Sequence, residues 1–317
     1  MASCQMYWCI YTMVDESIAH LKMAVQDRLA EFLGCRWVAL YPTPLEALYG
    51  LQSSALGPSY PHQIRAFCDE RSQQYSLLSA IMGSHPIDRV QRVSPGSHPE
   101  SNAAAEKGPE LLWWESVPYP DIFHGNIESA LGYYSKALVR TTDVTLSPLA
   151  ANSIDTDYCF MSDMRGIIGR ADFSCAALIG LSRRTGDPLC GAVVSATSLM
   201  AIENALPTAR NRERVRINNA VEIENHFRSS GFAGTVNRPN DKRAAWMMVI
   251  RPWATVHLPQ SGSGLINPIL GQDTSSLALI ETGIGSPNIE GCILSVGLEP
   301  SRTIINELDR IFVAKRL

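Results

Sequence analysis
The sequence predicts an α/β fold built as a large domain, a long linking helix and a smaller α/β domain. Three observations carry that expectation. A helical pattern over residues 15–34 runs into a short apolar strand at 37–41, the alternation from which layered α/β domains are built. A charged segment at 209–231 puts Ile217, Ala220, Val221 and Phe227 on one face at helical spacing. Beyond it the chain turns rich in Gly, Ser and Pro, with short apolar runs at 246–250 and 277–280. At 317 residues the chain is long enough for one large and one smaller domain.

Each element has a local reason. Asp15 can cap the first helix, since its carboxylate accepts from amide groups that an opening turn leaves unpaired. Ile18, Leu21, Val25, Leu29 and Phe32 form the apolar stripe, and Gly34 stops the helix. The run Trp-Val-Ala-Leu-Tyr at 37–41 is short and apolar enough for a buried strand. Thr43-Pro44 follows as a helix start, but Pro44 has no amide N–H to offer an anion there. Residues 84–110, rich in Pro, Ser, Gly and charge, read as a short strand around 90–93 and then a long surface loop. Residues 126–137 read as helix. Gly231 ends the linking helix, and strands at 246–250 and 277–280 flank the loop Ser-Gly-Ser-Gly-Leu-Ile-Asn-Pro.

Composition excludes several classes. A net charge of −4, with no basic run interleaved with aromatics, speaks against nucleic acid. No apolar stretch reaches membrane-spanning length, and residues 1–11 lack the basic start and cleavage site of a signal peptide. The eight cysteines are scattered without a C-x-x-C, as free thiols of a reducing compartment would be, so a cytoplasmic protein is expected. No His, Cys or carboxylate set has metal-ligand spacing, and Gly283-Ile-Gly285 lacks the third glycine of a dinucleotide loop.

The stretch 155–191 carries the most chemistry. Asp155, Ala171-Asp172, and Asp187 with Gly191 resemble the anchors of the cofactor segment in the Cys/Met-metabolism family of pyridoxal-phosphate (PLP) enzymes, the cystathionine γ-synthase and γ-lyase group. That family carries an Asp ending a buried strand, then Ala-Asp, Ser-x-Thr-Lys and Gly-Asp-x-x-x-Gly. In this register the Schiff-base lysine falls on Gly180, and the Ser and Thr that help hold the cofactor phosphate fall on Ala177 and Ile179. The run Gly-Cys-Ile-Leu-Ser-Val-Gly-Leu-Glu-Pro at 291–300, with the helical 303–312, resembles the family's closing signature. There the Arg that grips an amino-acid carboxylate falls on Ile293. The linking helix, the Thr-Val-Asn-Arg-Pro at 235–239, and the strand and turn at 37–47 that would cradle a phosphate complete the likeness. The resemblance implies the PLP-dependent transferase fold of type I, the aspartate aminotransferase type. It implies a large domain (1–208) with a mostly parallel sheet and helices on both faces, a linking helix (209–230), a small C-terminal domain (231–317), and a homodimer.

It also implies a PLP site that has been lost. Glycine cannot form a Schiff base or shuttle protons, and isoleucine cannot bind a carboxylate. Five lysines remain, at 22, 107, 136, 242 and 315, none in a segment resembling the cofactor turn. The expected occupant is an apolar small molecule held by shape in a cleft involving Thr43, Asp155, Asp157, Tyr158, Ile179, Gly180, Ser182 and Ile293. Asp155, Asp157 and Tyr158 are the catalytic candidates. The expected reaction is a cyclisation or isomerisation of a terpenoid or polyketide, such as a Diels–Alder [4+2] closure, which needs preorganisation and one hydrogen bond. Alternatives stay open: a non-catalytic partner of an active homologue, or residual PLP-dependent C–S lyase or transferase chemistry. Each candidate also has a plain reading. Asp157 and Tyr158 could be a satisfied turn, Arg183 and Arg184 surface ion pairs, Trp113 and Trp114 core, Tyr133 and Tyr134 core or interface, and His124 and His257 structural.

Overall fold
The computed structural model describes residues 2–55, 62–67, 76–79, 87–92, 111–115, 137–141, 157–170, 172–173, 175–182, 193–238, 246–252, 273–281 and 289–312. The first helix, α1 (Ala2–Leu33), starts well before Asp15, so the helix start expected there is overturned. Gly34, at φ +67°, ends it as expected. The chain then reverses into β1 (Trp37–Tyr41), and α1 lies back along that strand, where Leu40 N–H donates to Gln26 Oε1 at 2.9 Å. Helix α2 (Pro44–Ala55) follows at once. Thr43 Oγ1 accepts from Glu46 N–H at 3.2 Å and donates to Glu46 Oε2 at 2.8 Å, a reciprocal cap on the first turn.

Seven strands form the large sheet. They are β1, β2 (His62–Phe67), β3 (Ile87–Arg92), β4 (Leu111–Glu115), β5 (Ala137–Thr141), β6 (Tyr158–Met161) and β7 (Ala176–Gly180), ordered β1-β7-β6-β5-β4-β2-β3. The interior strands pair in parallel, whereas β7 runs antiparallel to both β1 and β6. The period of two along each strand divides the core. Val38, Leu40, Cys159, Met161, Ala177 and Ile179 meet Val25, Leu29 and Leu33 of α1 on one face. Ala39, Tyr41, Tyr158, Phe160, Ala176 and Leu178 meet Ala47, Leu48 and Leu51 of α2 on the other. With both faces covered here, β1, β6 and β7 are free of charged residues along their length, as buried sheet demands. Trp113 and Trp114 are buried in β4, as the core reading had it.

Differences from the sequence reading fall at the joints. The strand expected around 90–93 sits at 87–92, and Ala137, expected to end a helix, opens β5. Residues 126–136, with Tyr133 and Tyr134, lie outside the described residues, as do His124, His257, Arg183 and Arg184. After a four-residue helix, α3 (Arg165–Ile168), the linking helix α4 runs Ala196–Ser229. It therefore starts before the expected boundary at 208/209 and carries Pro207 inside it. Ser195 caps α4 by accepting from Ser198 N–H at 3.1 Å. Its first half packs on the large sheet through Leu199, Ile202, Leu206 and Ala209. Its second half packs on a small sheet through Ala220, Ile223 and Phe227.

That sheet comprises β8 (Gly234–Asn237), β9 (Met247–Pro252), β10 (Ser276–Glu281) and β11 (Ile289–Ser295), antiparallel throughout in the order β10-β11-β9-β8. Helix α5 (Ser301–Phe312) closes it with Ile304, Leu308 and Ile311. Among the described residues no helix is long and apolar enough to cross a membrane.

Candidate functional site
Open sheets of parallel strands bind ligands beyond the strands' carboxyl ends, where loops and helix N-termini converge. In this sheet that edge is marked by Tyr41 of β1 and Met161 of β6. Two turns leave it side by side. One is Pro42-Thr43-Pro44, entering α2. The other is Ser162-Asp163-Met164-Arg165, entering α3. Because Leu40 and Met161 both lie opposite Ala177 of β7, the two turns leave the sheet at the same level.

This geometry corrects the register read from the sequence. Gly180 pairs with Trp37 and with Tyr158, at the amino end of both parallel strands. Tyr41, at the carboxyl edge of β1, lies four strand residues, roughly 13 Å, along the sheet from the level of Gly180. Gly180 has a different reason to be glycine: a Cβ there would overlap the indole of Trp37, its cross-strand partner. Ala177 and Ile179, fully buried, face α1 in the core and line no cleft. Asp157 and Ser182 also belong to the amino edge. Asp157 accepts from Ser182 Oγ–H at 2.7 Å, and its carbonyl accepts from Leu181 N–H at 2.9 Å, so the pair closes a turn. Tyr158 is buried beneath Trp37, ring edge to ring face, with centroids 6.2 Å apart. Ile293 lies in the core of the small sheet, between Ala278 and Val249. Asp155 lies outside the described residues. Of the expected set, Thr43 alone among the described residues stands at the carboxyl edge.

Moving the positions from Asp172 to Asp187 back 15 residues brings the motif to the carboxyl edge, while Asp155, Ala171 and Gly191 find no equivalent. Asp172, Ala177, Ile179 and Gly180 become Asp157, Ser162, Met164 and Arg165, and the later Asp187 becomes Asp172. The Ser of Ser-x-Thr-Lys is then present as Ser162, buried at the sheet edge. In this register the resemblance sets Met164 at the pattern's Thr position and Arg165 at its Lys position. The signal was legible: Asp157 stands eight residues before Arg165 as Asp172 does before Gly180, but only the earlier register puts a serine and a basic residue at the offsets of the pattern.

The turn is electrostatically closed. Asp163 Oδ1 accepts from Arg165 N–H at 2.6 Å, and Asp163 Oδ2 lies 2.5 Å from Arg165 Nε, a contact too bent for a hydrogen bond. The Arg165 side chain keeps 22% exposure, so its terminal N–H groups can reach a ligand. Beneath it Met164 N–H donates to the Cys175 carbonyl at 3.1 Å. Burial pushes the Cys175 thiol up to about 12, with the Tyr41 backbone and Lys22 pulling it back and Asp163 adding to the rise. That thiol is therefore no nucleophile near neutral pH. Among the described residues no cluster of His, Cys, Asp and Glu could hold a metal ion.

Solved structures place this architecture. The chain matches an O-acetylhomoserine (thiol)-lyase structure of Campylobacter jejuni that carries a pyridoxyl-lysine phosphate group. The TM-score is 0.73 at 16% identity, over 92% of this chain and 85% of that one. It matches an apo methionine γ-lyase of Micromonospora echinospora equally well, at TM-score 0.73 and 18% identity, over 92% and 86%. No protein-family model matches the sequence, and no curated protein does. The chain therefore has the PLP-dependent transferase fold of type I and is structurally similar to Cys/Met-metabolism PLP enzymes.

The residues present do not fit PLP held as a Schiff base. A guanidinium stays protonated at any physiological pH and is no amine nucleophile. Met164 lacks the hydroxyl of the threonine it replaces, and Pro44 lacks an amide proton at the start of α2. Within the turn 162–165 the one basic side chain is therefore a guanidinium, that of Arg165.

Proposed function
We propose that this chain is a repurposed enzyme of the PLP-transferase fold that forms no Schiff base with PLP. It acts on a specialised metabolite, of terpenoid or polyketide type, by cyclisation or isomerisation. The observation that supports this reading is Arg165, a permanent cation at the carboxyl edge of the sheet in the place of a titratable amine. A guanidinium there can donate hydrogen bonds to a substrate carbonyl and draw electron density from a conjugated alkene. A [4+2] closure requires little more than that polarisation and a folded-back substrate conformation. The side chains of Ala177, Ile179 and Ile293 fill cores and wall no cleft. A second reading has one observation in its favour: Asp163 already matches the Arg165 charge, as a retained but idle site in a binding partner would allow.

The test uses a linear triene whose alkene is activated by a conjugated ester, with products resolved by chromatography and mass spectrometry. We expect faster ring closure and a narrowed isomer ratio with the wild-type chain, both lost in Arg165→Gln. Equal rates with and without protein would remove the catalytic reading. Purification with stoichiometric covalent PLP would overturn the proposal as a whole.

A further inference from the structure
The turn that carries Arg165 is held from outside itself, and we infer that Asp273 is the positioning residue that holds it. Four consecutive carbonyls at the end of α3 have no partner within the helix, the usual predicament of a helix C-terminus. Each is taken by a group from α4 or from the strand lead-in before β10. Arg216 Nη1 donates to the Gly166 carbonyl at 3.4 Å, Arg212 Nη2 to that of Ile167, and Arg212 Nη1 to that of Ile168 at 3.2 Å. Asp273 N–H donates to the Gly169 carbonyl at 2.8 Å. The Asp273 carboxylate organises both arginines, with Oδ2 at 2.9 Å from Arg212 Nη1 and Oδ1 at 2.5 Å from Arg216 Nη2.

The Asp273 carbonyl in turn accepts from Leu298 N–H at 2.7 Å, in the segment that follows β11. Arg216 is buried with its guanidinium 5.2 Å from the Trp246 ring centre, so it cannot turn to water if the carboxylate is removed. Gly169 completes the joint at φ +80°, where a Cβ would meet both Arg212 and Asp273. The small sheet and the Arg165 turn are thereby one mechanical unit, and the position of Arg165 is set from residue 273 through Arg212 and Arg216.

The inference rests on reading residues 162–165 as the site, but its test does not require catalysis. Cys175 lies directly under the turn, fully buried, and Cys159 and Cys292 are equally buried elsewhere. Alkylation of each by iodoacetamide, read by mass spectrometry on the folded chain, separates local lifting of the turn from global opening. In Asp273→Asn we expect Cys175 to react about tenfold faster with Cys159 and Cys292 unchanged, and Asp273→Glu to recover most of the protection. Arg212→Gln, which leaves the Arg216–Asp273 pair in place, is expected to give the same pattern at smaller amplitude. If all three thiols gain together in both variants, or none gains, Asp273 does not position the turn. Failure of ring closure under "Proposed function" with selective Cys175 exposure here would sink catalysis and leave the joint standing.

Discussion
Gly180 and Arg165 show how much a single residue can mislead or inform. Gly180 was expected to be a vacated lysine position, and it is instead the seat of an aromatic ring from the neighbouring strand. Gly180→Ala should cost about 1–3 kcal/mol, because a methyl group in a filled space forces the indole to move. The loss should shrink in a Trp37→Ala background, where the space is vacant, and a double-mutant cycle in urea measures the difference. Additive losses would mean that Trp37 is not what fixes the glycine. Arg165 makes the opposite point. Its offset from Asp157 and Ser162 is the one the Ser-x-Thr-Lys pattern requires, with an arginine in the last place. Asp172 stands eight residues before Gly180 as Asp157 does before Arg165, so the serine, the basic residue and the strand direction that the fold supplies are what separate the two registers.

Among the elements, legibility followed local chemistry. Strand β1, the stop at Gly34, the second half of α4 and the strands near 247–252 and 276–281 were all readable, because apolar periodicity and a glycine stop are written in consecutive residues. The start of α4 was not, because Pro207 marks a boundary to any sequence reader, whereas the folded chain carries the helix past it on contacts from Leu199, Ile202 and Leu206. The true start is Ser195, whose replacement by Ala should cost about 1 kcal/mol through the lost cap. The direction of β7 was equally invisible: its five apolar residues would serve a parallel or an antiparallel strand. Leu178 lies fully buried between α2 and the sheet. Leu178→Ala should lower stability by about 2–5 kcal/mol by chemical denaturation. A loss below about 0.5 kcal/mol would contradict the packing described for that face.

The whole molecule has a pH response that follows from its buried thiols. Burial raises Cys35 to about 11 and Cys175 to about 12, and raises Cys292 further still. A thiol raised in the folded state stays protonated while its unfolded counterpart ionises above about 9. The unfolded chain then binds fewer protons, so stability is intact below pH 9 and falls as pH rises toward 12. Each thiol should contribute a slope of up to about 1.4 kcal/mol per pH unit. The urea midpoint at pH 10 should lie below that at pH 8, and the gap should narrow when Cys175 and Cys292 are replaced by Ala. An unchanged gap would assign the effect to other groups.

At the same scale, the two edges of the large sheet differ in which of them can seat an amine against an aldehyde ligand, the carboxyl edge at residue 165 or the amino edge at residue 180. The direct measurement introduces a lysine at each candidate, Arg165→Lys and Gly180→Lys, adds pyridoxal phosphate, reduces with borohydride and maps the adduct by mass spectrometry. The account predicts a trapped pyridoxyl group on residue 165 in the first variant and none on residue 180 in the second, with the wild-type chain unmodified at both positions. Trapping at residue 180 and not at 165 would contradict it.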